Sequence, residues 1–118
     1  MENITGDFRV FIDQFPEFED LPEKGETNYK DSMVKEFEIS DGFFDYVLKA
    51  RIEVWYKRYF REANATSPEE DDITDYEIAV ETITGTRTFR ENYGTMKLTK
   101  TELEQFEKIL MEKIEIIL

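Results

Sequence analysis

The stretch 40-SDGFFDYVLKARIEVWYKRYFR-61 decides the fold of this chain. Apolar or aromatic residues occupy every second position in it, at Phe44, Tyr46, Leu48, Ala50, Ile52, Val54 and Tyr56. Such strict alternation is typical of a strand that buries one face. Five of the seven intervening residues are charged, as in a sheet whose other face meets water. Part of the spacing also fits a helix, but the β-branched and aromatic residue types favour a strand.

An upstream run, Met33–Ile39, alternates in the same way and is joined to this strand through Asp41-Gly42. Asp-Gly between two alternating runs is a strong hairpin signal, because both turn residues accept positive φ. A two-residue loop would pair Ile39 with Phe44, and the apolar residues of both strands would then share one face. The two runs therefore predict a β-hairpin.

The length of the second strand raises an expectation about its shape. A straight strand from Phe43 to Phe60 would be about 60 Å long at roughly 3.3 Å per residue. That length exceeds the dimension expected of a compact domain of this size. We therefore expect a bulge, a bend or an early end.

Alternation returns in Ile73–Thr84 and predicts a third strand. Its acidic residues Glu77 and Glu81 could face the basic residues of the long strand in cross-strand pairs. Such exposed pairs contribute about 0.2–1 kcal/mol each. The polar segment Glu62–Asp72 predicts a mobile loop, and Gly85–Gly94 predicts a loop or short hairpin.

The C-terminal segment predicts a helix. Thr99-Lys-Thr-Glu102 is a capping box, and Thr95–Leu98 before it predicts a short fourth strand. An apolar stripe at helical spacing follows, formed by Leu103, Phe106, Ile109, Leu110, Ile114 and Ile117. We expect this stripe to pack on the apolar face of the sheet, because an isolated helix of about 18 residues is marginally stable in water. The apolar end Ile116–Leu118 is either covered by the N-terminal part of the chain or a self-association surface.

The sequence predicts that residues 1–31 form an N-terminal arm and that residues 32–118 form a single α+β domain. Helical spacing favours a short helix over Asp7–Gln14, which Pro16 would end. Three apolar residues follow in an acidic context, at Phe15, Phe18 and Leu21. They either dock into a partner or pack onto the domain itself, and we favour packing onto the domain.

The composition limits the chemistry. The chain has no cysteine and no histidine, so it lacks thiolates, the usual near-neutral general base and the commonest zinc ligand. The acidic run Glu69–Asp72 lacks the alternating ligands and the glycine of a calcium loop. No catalytic arrangement, cofactor motif or metal spacing is present, so the sequence predicts a protein that is not an enzyme and has no cofactor.

The net charge of −13 disfavours direct binding to nucleic acid or to an anionic membrane. Residues 41–68 are the exception, with five basic and four acidic residues. No apolar run approaches the roughly 20 residues of a membrane span, and the N-terminus lacks the features of a signal peptide. The absence of cysteine suits a reducing cytosol.

The predicted exposed face of the long strand carries Lys49, Arg51, Trp55 and Lys57. We favour a structural role for this strip, in pairs with acidic residues of the third strand. Binding to a partner stays open because Trp55 is the only tryptophan and tryptophan is enriched in binding hot spots. The candidate partner-binding residues are therefore Trp55, Lys49, Arg51, Lys57, Phe15, Phe18 and Leu21.

Residues 47–118 resemble a layout found in small uncharacterised proteins of bacteriophages and mobile elements of gut bacteria. The segments that carry the resemblance are KARIEVWYKRYF, SPEEDD, YEIAVETI and LTKTELEQFEKILMEKI. The resemblance implies a compact antiparallel sheet with one helix, and a phage or host-bacterial cytoplasm. It assigns no functional residue.

Together these observations predict an α+β fold, with an antiparallel sheet of three or four strands packed against one C-terminal helix. The predicted function is that of a non-enzymatic accessory protein acting through protein contacts. Two alternatives stay open: an acidic mimic of nucleic acid that blocks a DNA-binding host enzyme, and a virion structural or assembly protein. The sequence also leaves open whether the chain forms a homo-oligomer.

Overall fold

A computed structural model of this 118-residue protein describes residues 3–19 and 22–118. These residues form seven strands and one α-helix: β1 (Thr5–Gly6), β2 (Arg9–Phe11), β3 (Gly25–Ser40), β4 (Phe44–Arg61), β5 (Glu70–Phe89), β6 (Thr95–Lys97), α1 (Lys100–Lys113) and β7 (Glu115–Ile117). Short 3-10 turns cover Ile12–Gln14 and Pro16–Glu19.

The main sheet has the order β1-β3-β4-β5-β6, and each neighbouring pair is antiparallel. The predicted α+β fold with a C-terminal helix and an N-terminal arm is confirmed. The sheet has five strands, one more than the upper number predicted. The additional strand is β1, a two-residue strand that pairs with the end of β3.

β3 and β4 form the predicted hairpin with a wider turn than expected. Ile39 pairs with Tyr46, two residues beyond the predicted partner Phe44. The cause is Asp41, whose carboxylate Oδ1 accepts hydrogen bonds from the amides of Phe43 (2.9 Å) and Phe44 (2.8 Å). A shift of two residues keeps every side chain on its predicted face, so the apolar residues still share one face.

The long hairpin makes the molecule elongated, with extents of 64 × 22 × 21 Å. β4 neither ends early nor bulges against β3, because the pairing is unbroken from Gly25 with Phe60 to the turn. The bulges lie in β5 instead, where Thr74 and Ile83 have no partner residue in β4. Of the three expected features, the early end was wrong because it assumed a compact domain, and the bulges occur in the partner strand β5.

One face of the sheet is buried and holds the hydrophobic core. From β4 it receives Tyr46, Leu48, Ala50, Ile52, Val54 and Tyr56. Phe106 and Leu110 of α1 are fully buried in the same cluster. The arm contributes Val10, Ile12 and Phe15, which are also fully buried. The alternation in β4 therefore predicts correctly which of its side chains form the core.

The arm lacks the predicted helix over Asp7–Gln14. Arg9–Phe11 forms β2 instead and pairs in parallel with β7, the strand Glu115–Ile117. The Asp7 carboxylate also accepts hydrogen bonds from the backbone amide (3.1 Å) and the guanidinium (2.9 Å) of Arg9, a local turn that offers the backbone an alternative to a helix. Pairing with the distant C-terminus therefore overrides the helical spacing.

The structure also bears on the predicted domain boundary and on the two alternatives for the C-terminal end. The predicted boundary between residues 31 and 32 falls inside β3, because Gly25–Asp31 pairs with β4 in the same unbroken register. Of the two alternatives for the C-terminal end, the arm covers Ile116, whereas Leu118 is exposed.

The C-terminal half follows the predictions more closely, although α1 ends at Lys113, so that Ile114 caps the helix and Ile117 lies in β7 instead of continuing the predicted apolar stripe. The third strand is longer than predicted, since β5 includes residues 70–72, predicted as a mobile loop, and residues 85–89, predicted as part of a loop or short hairpin. The short hairpin to β6 and the capping box of Thr99 and Glu102 are confirmed. α1 packs beside β5 through Thr82, whose hydroxyl donates to the backbone oxygen of Leu103 at 2.8 Å.

Candidate functional site

The second face of the sheet is exposed. Every even-numbered residue of β3 from Glu26 to Glu38 is exposed, and these residues pair with the odd-numbered residues of β4. Of the β5 residues that pair on this face, Asp75, Glu77 and Glu81 are exposed, and Ala79 is half-buried. A sheet with one buried and one exposed face follows directly from the alternation in the three long strands.

Trp55 lies in the middle of this exposed face with 38% of its surface accessible. The cross-strand register places it between Lys30 of β3 and Glu77 of β5. The Lys30 ammonium lies 5.4 Å from the centroid of the indole ring, within the range of a cation–π contact. The indole is therefore held between a cation and an anion while one side of it faces solvent.

A shallow depression of about 290 Å³ lies beside Trp55. Its lining residues belong to three adjacent strands: Asn28, Tyr29, Trp55, Tyr56, Lys57, Asp75, Tyr76 and Glu77. Small-molecule sites enclose about 300–1,000 Å³ and bury most of their ligand. This depression lies at the lower end of that range and is open to solvent, so it does not enclose a ligand.

The predicted basic residues do not converge on one point. Lys57 lines the depression, whereas Lys49 lies eight residues away along β4, roughly 27 Å at the usual rise per residue. Arg51 contacts Glu81 at 3.4 Å, which is one of the predicted cross-strand pairs. Of the predicted strip, only Trp55 and Lys57 contribute to the depression.

The predicted arm residues lie on the other face of the sheet. Phe15 is fully buried in the core, so its side chain is not available to a partner in this conformation. Phe18 is half-buried, and its ring centroid lies 6.3 Å from that of Tyr56. Leu21 lies outside the described residues. The structure thus separates Phe15 and Phe18 from Trp55.

A second exposed apolar surface, absent from the sequence predictions, lies at one end of the hairpin. Phe43 and Tyr93 are 78% and 81% exposed, in the turns that follow β3 and β5. Between the turns lies a depression of about 280 Å³ whose lining includes Phe44 and Phe89, with ring centroids 5.0 Å apart. Arg90, in the turn after β5, donates a hydrogen bond to the carboxylate of Asp45 at the start of β4. Aromatic residues next to Gly42 and Gly94 were the sequence signal for this surface.

A polar cluster lies on the buried face, beneath Trp55. Arg58 and Asp31 are buried, and Asp31 accepts a hydrogen bond from the Glu17 amide at 2.7 Å. The Tyr56 hydroxyl is buried and has no hydrogen-bond partner among the described residues. Burial, followed by the charge of Asp31, raises the pKa of Tyr56 to about 12.

Among the described residues, the shifted pKa values lie further from 7 than the ordinary values of the same groups. Hydrogen bonds from Arg58 lower the pKa of Asp71. Burial opposes the shift at Asp41, but hydrogen bonds from the Phe44 and Phe43 amides and the Tyr46 hydroxyl still lower its pKa. Burial raises the pKa of Tyr46. None of these shifts poises a group for acid–base chemistry near pH 7.

No known protein family, curated protein or solved structure matches this chain. Within residues 3–19 and 22–118, no group of three or more acidic side chains is arranged to hold a metal ion. No helix in the same ranges has the length and apolarity that a membrane crossing requires. The assignment of a function therefore rests on the geometry of the exposed surfaces.

Proposed function

We propose that this protein is a small, non-enzymatic accessory protein that acts by contacting a protein partner. The exposed face around Trp55 is the contact surface in this proposal. The observation that carries it is the position of Trp55, partly exposed at the centre of a sheet face and next to an open depression.

The surroundings of Trp55 have the composition of a binding hot spot. Tryptophan dominates many protein interfaces, and hot spots are commonly a central aromatic anchor with a polar rim. Here the rim is formed by Lys30, Lys57, Asp75 and Glu77, which are exposed and carry both signs of charge. The three strands below hold these residues in a fixed register, so the free protein already presents the surface that a partner would meet.

The resemblance of residues 47–118 to phage and mobile-element proteins supports the biological setting of this proposal. In that setting the protein acts in the cytoplasm of a bacterial host, and its partner is a host or phage protein. A virion structural role uses the same contact chemistry but differs in stoichiometry. A fixed copy number in purified particles would identify that role.

Site-specific photo-crosslinking tests the proposal. A photoreactive residue replaces Lys57 beside the depression, and in a matched control it replaces Gln105 on the exposed side of α1. In a bacterial host lysate we expect one discrete adduct from position 57 and none from position 105. Excess unlabelled protein should compete for this adduct, whereas the Trp55→Ala variant should compete at least tenfold less well.

Two results would overturn the proposal. One is turnover of a substrate by the purified protein that is lost when a single carboxylate is replaced. The other is an adduct at position 57 for which Trp55→Ala competes as well as the unchanged protein. The thermal unfolding midpoint of Trp55→Ala should stay within a few degrees of that of the unchanged protein, which shows that the comparison involves folded molecules.

Mimicry of nucleic acid is the second candidate function, and one observation favours it. Mimicry requires acidic groups on a rigid surface, and Asp72, Asp75 and Glu77 are exposed in strand β5, although Asp72 belongs to the segment predicted as a mobile loop. In this case duplex DNA added before irradiation would compete for the partner and prevent formation of the adduct at position 57. A partner that does not bind DNA would exclude this candidate.

A further inference from the structure

The edge of β5 that faces away from β4 is unpaired over most of its length. β6 pairs only with Thr86–Thr88 of β5, and the amide of Thr82 donates to the Glu107 carboxylate of α1 at 3.0 Å. From Glu70 to Glu81, no backbone group on this side bonds to any residue that the structure describes. We call the segment Glu70–Glu81 the free edge.

The hydrogen bond of Thr82 fixes which backbone groups the free edge presents. The N–H and C=O of one residue point to the same side of a strand, and successive residues point to opposite sides. Since the Thr82 amide points away from β4, the amides and carbonyls of Val80, Ile78 and Tyr76 do so as well. Three donors and three acceptors are therefore available over about 13 Å of strand.

The side chains along the free edge differ between its two faces. Tyr76 is exposed on the buried-face side, and Ile78 and Val80 are half-buried beside it. Asp75 and Glu77 are exposed on the other face, and neither makes an ion pair with a described residue. Residues 69–81 contain seven acidic residues and no basic one.

We propose that the free edge binds an extended segment of a partner protein as an added β-strand, and that this segment alternates basic and apolar residues. Added strands obtain affinity from main-chain hydrogen bonds and specificity from alternate side chains. The basic side chains would oppose Asp75 and Glu77, and the apolar side chains would cover Tyr76, Ile78 and Val80. The inference rests on the proposed function and specifies the chemical class of its partner.

A second copy of this chain fits the free edge poorly. An antiparallel pairing of two free edges centred on Ile78 would place Asp75 of each copy opposite Glu81 of the other. Like charges directly opposite each other destabilise a strand pair, and charged edge strands generally prevent pairing between identical sheets. The same acidic side chains favour the binding of a basic segment.

Binding of synthetic peptides to the full chain tests the inference. The probe is a fluorescently labelled ten-residue peptide that alternates lysine and valine. The control is a peptide of the same composition with five lysines followed by five valines. We expect the alternating peptide to bind at least tenfold more tightly in fluorescence anisotropy at low salt. Equal affinity of the two peptides would overturn the inference, because it would show attraction by charge alone.

N-methylation of the peptide backbone tests the strand pairing on the unchanged protein. Methyl groups on one alternate set of amides remove the donors that face the free edge, whereas methyl groups on the other set point to solvent. We expect one set to weaken binding at least tenfold and the other set to leave it within about threefold. If both sets had equal effects, an added strand would be excluded.

A charge reversal tests which acidic residues are involved. Asp75→Lys combined with Glu77→Lys should shift the preference from the lysine–valine peptide to a glutamate–valine peptide. Glu104→Lys combined with Glu112→Lys makes the same change in net charge on the exposed side of α1, and it should leave the preference unchanged. Equal loss of lysine–valine binding in both double variants would overturn the assignment to this edge.

The outcome for the free edge can be separated from that for the proposed function. A competed adduct at position 57 without any peptide preference overturns the free-edge inference and leaves the proposed function in place. A concentration-dependent dimer that Asp75→Lys with Glu77→Lys dissociates would overturn the inference in favour of a second copy. We expect sedimentation to show no such dimer.

Discussion

The Arg58 guanidinium donates two hydrogen bonds to the Asp71 carboxylate, from Nε at 2.8 Å and from Nη2 at 2.7 Å. The Arg58 side chain is only 6% exposed. Its Nη1 also donates to the backbone oxygen of Phe18 at 3.2 Å, and the Phe18 ring centroid lies 4.1 Å from the guanidinium carbon. One buried cation therefore connects β4, β5 and the N-terminal arm.

Replacing Asp71 by asparagine should lower the free energy of unfolding by about 1–3 kcal/mol, because the buried guanidinium loses its anion. Chemical denaturation of the purified protein measures this change. Glu70→Gln is the matched control, since the neighbouring Arg61–Glu70 pair is longer, at 3.4 Å, and half-exposed. Its loss should stay below about 1 kcal/mol. Equal losses in the two variants would contradict a special role of the buried pair.

The pair of Arg58 and Asp71 should also make the free energy of unfolding depend on pH in the acidic range. Hydrogen bonds from Arg58 lower the pKa of Asp71 in the folded protein. The stabilisation is therefore present above the pKa of the unfolded chain, about 3.9, and is lost as pH falls through the lower folded value. Asp71→Asn removes this contribution, so its unfolding free energy should fall less than that of the unchanged protein below about pH 4. Parallel curves for the two proteins would rule out this linkage.

Two tyrosines of β4 are buried. Replacing each of them by phenylalanine should change the free energy of unfolding in opposite directions. The Tyr46 hydroxyl donates to Asp41 at 2.8 Å, whereas the Tyr56 hydroxyl has no partner among the described residues. Tyr46→Phe should therefore cost about 1–2 kcal/mol, and Tyr56→Phe should stabilise the protein by about 0.5–1 kcal/mol. Thermal and chemical unfolding of both variants give the comparison. Destabilisation by Tyr56→Phe would mean that this hydroxyl has a partner in solution.

Gly85 lies where β5, β4 and the start of α1 are in close contact, and the space around it does not admit a side chain. A Cβ atom at Gly85 would lie 2.7 Å from Leu98 Cδ1 and 2.8 Å from Leu48 Cδ2. Gly85→Ala should therefore cost about 1–3 kcal/mol of stability through overpacking. Thr84→Ala, at the exposed neighbouring position, should stay within about 0.5 kcal/mol.

A double variant shows whether overpacking is the cause at Gly85. Leu98→Ala removes the nearest methyl group, so its loss and that of Gly85→Ala should add to more than the loss measured for the combined variant. Denaturant midpoints of the two single variants and the double variant provide this cycle. Strict additivity would contradict the proposed clash.

The sequence predicts correctly which side chains are buried wherever one face of a strand is buried along its whole length. Alternation in β4 places Tyr46 in the core and Trp55 in water, because the period of two leaves only these two directions. It also predicts the pair of Arg51 with Glu81. Trp55 could thus be found from sequence, although its depression also depends on residues of β3 and β5.

The features that the sequence failed to predict depend on side-chain hydrogen bonds and long-range contacts, which hydrophobic periodicity does not contain. Asp41 widens the hairpin turn through side-chain hydrogen bonds to two amides. Val10 and Ile116 lie in strands that are distant in sequence, and their parallel pairing replaces the helix that local spacing favours. Arg58 is buried where β5 brings Asp71 and the N-terminal arm brings Phe18 beside it.

Tyr93 combines a strained backbone with an exposed ring, and the two properties can be separated by substitution. Its φ of 56° lies in the left-handed region, which costs a residue with a Cβ about 1–2 kcal/mol. Tyr93→Gly should therefore raise the free energy of unfolding by about 0.5–1 kcal/mol, the gain being reduced by the greater freedom of glycine in the unfolded chain.

Tyr93→Ala keeps the strained φ and removes the ring, so it should leave stability within about 0.5 kcal/mol of the unchanged protein. Unfolding free energies of the two variants therefore isolate the backbone strain. If the turn surface that includes Phe43 also contacts the partner, both variants should lose partner crosslinking equally, because both lack the ring. Equal stabilisation by glycine and alanine would instead show that the exposed ring, and not the backbone, is the source of the cost.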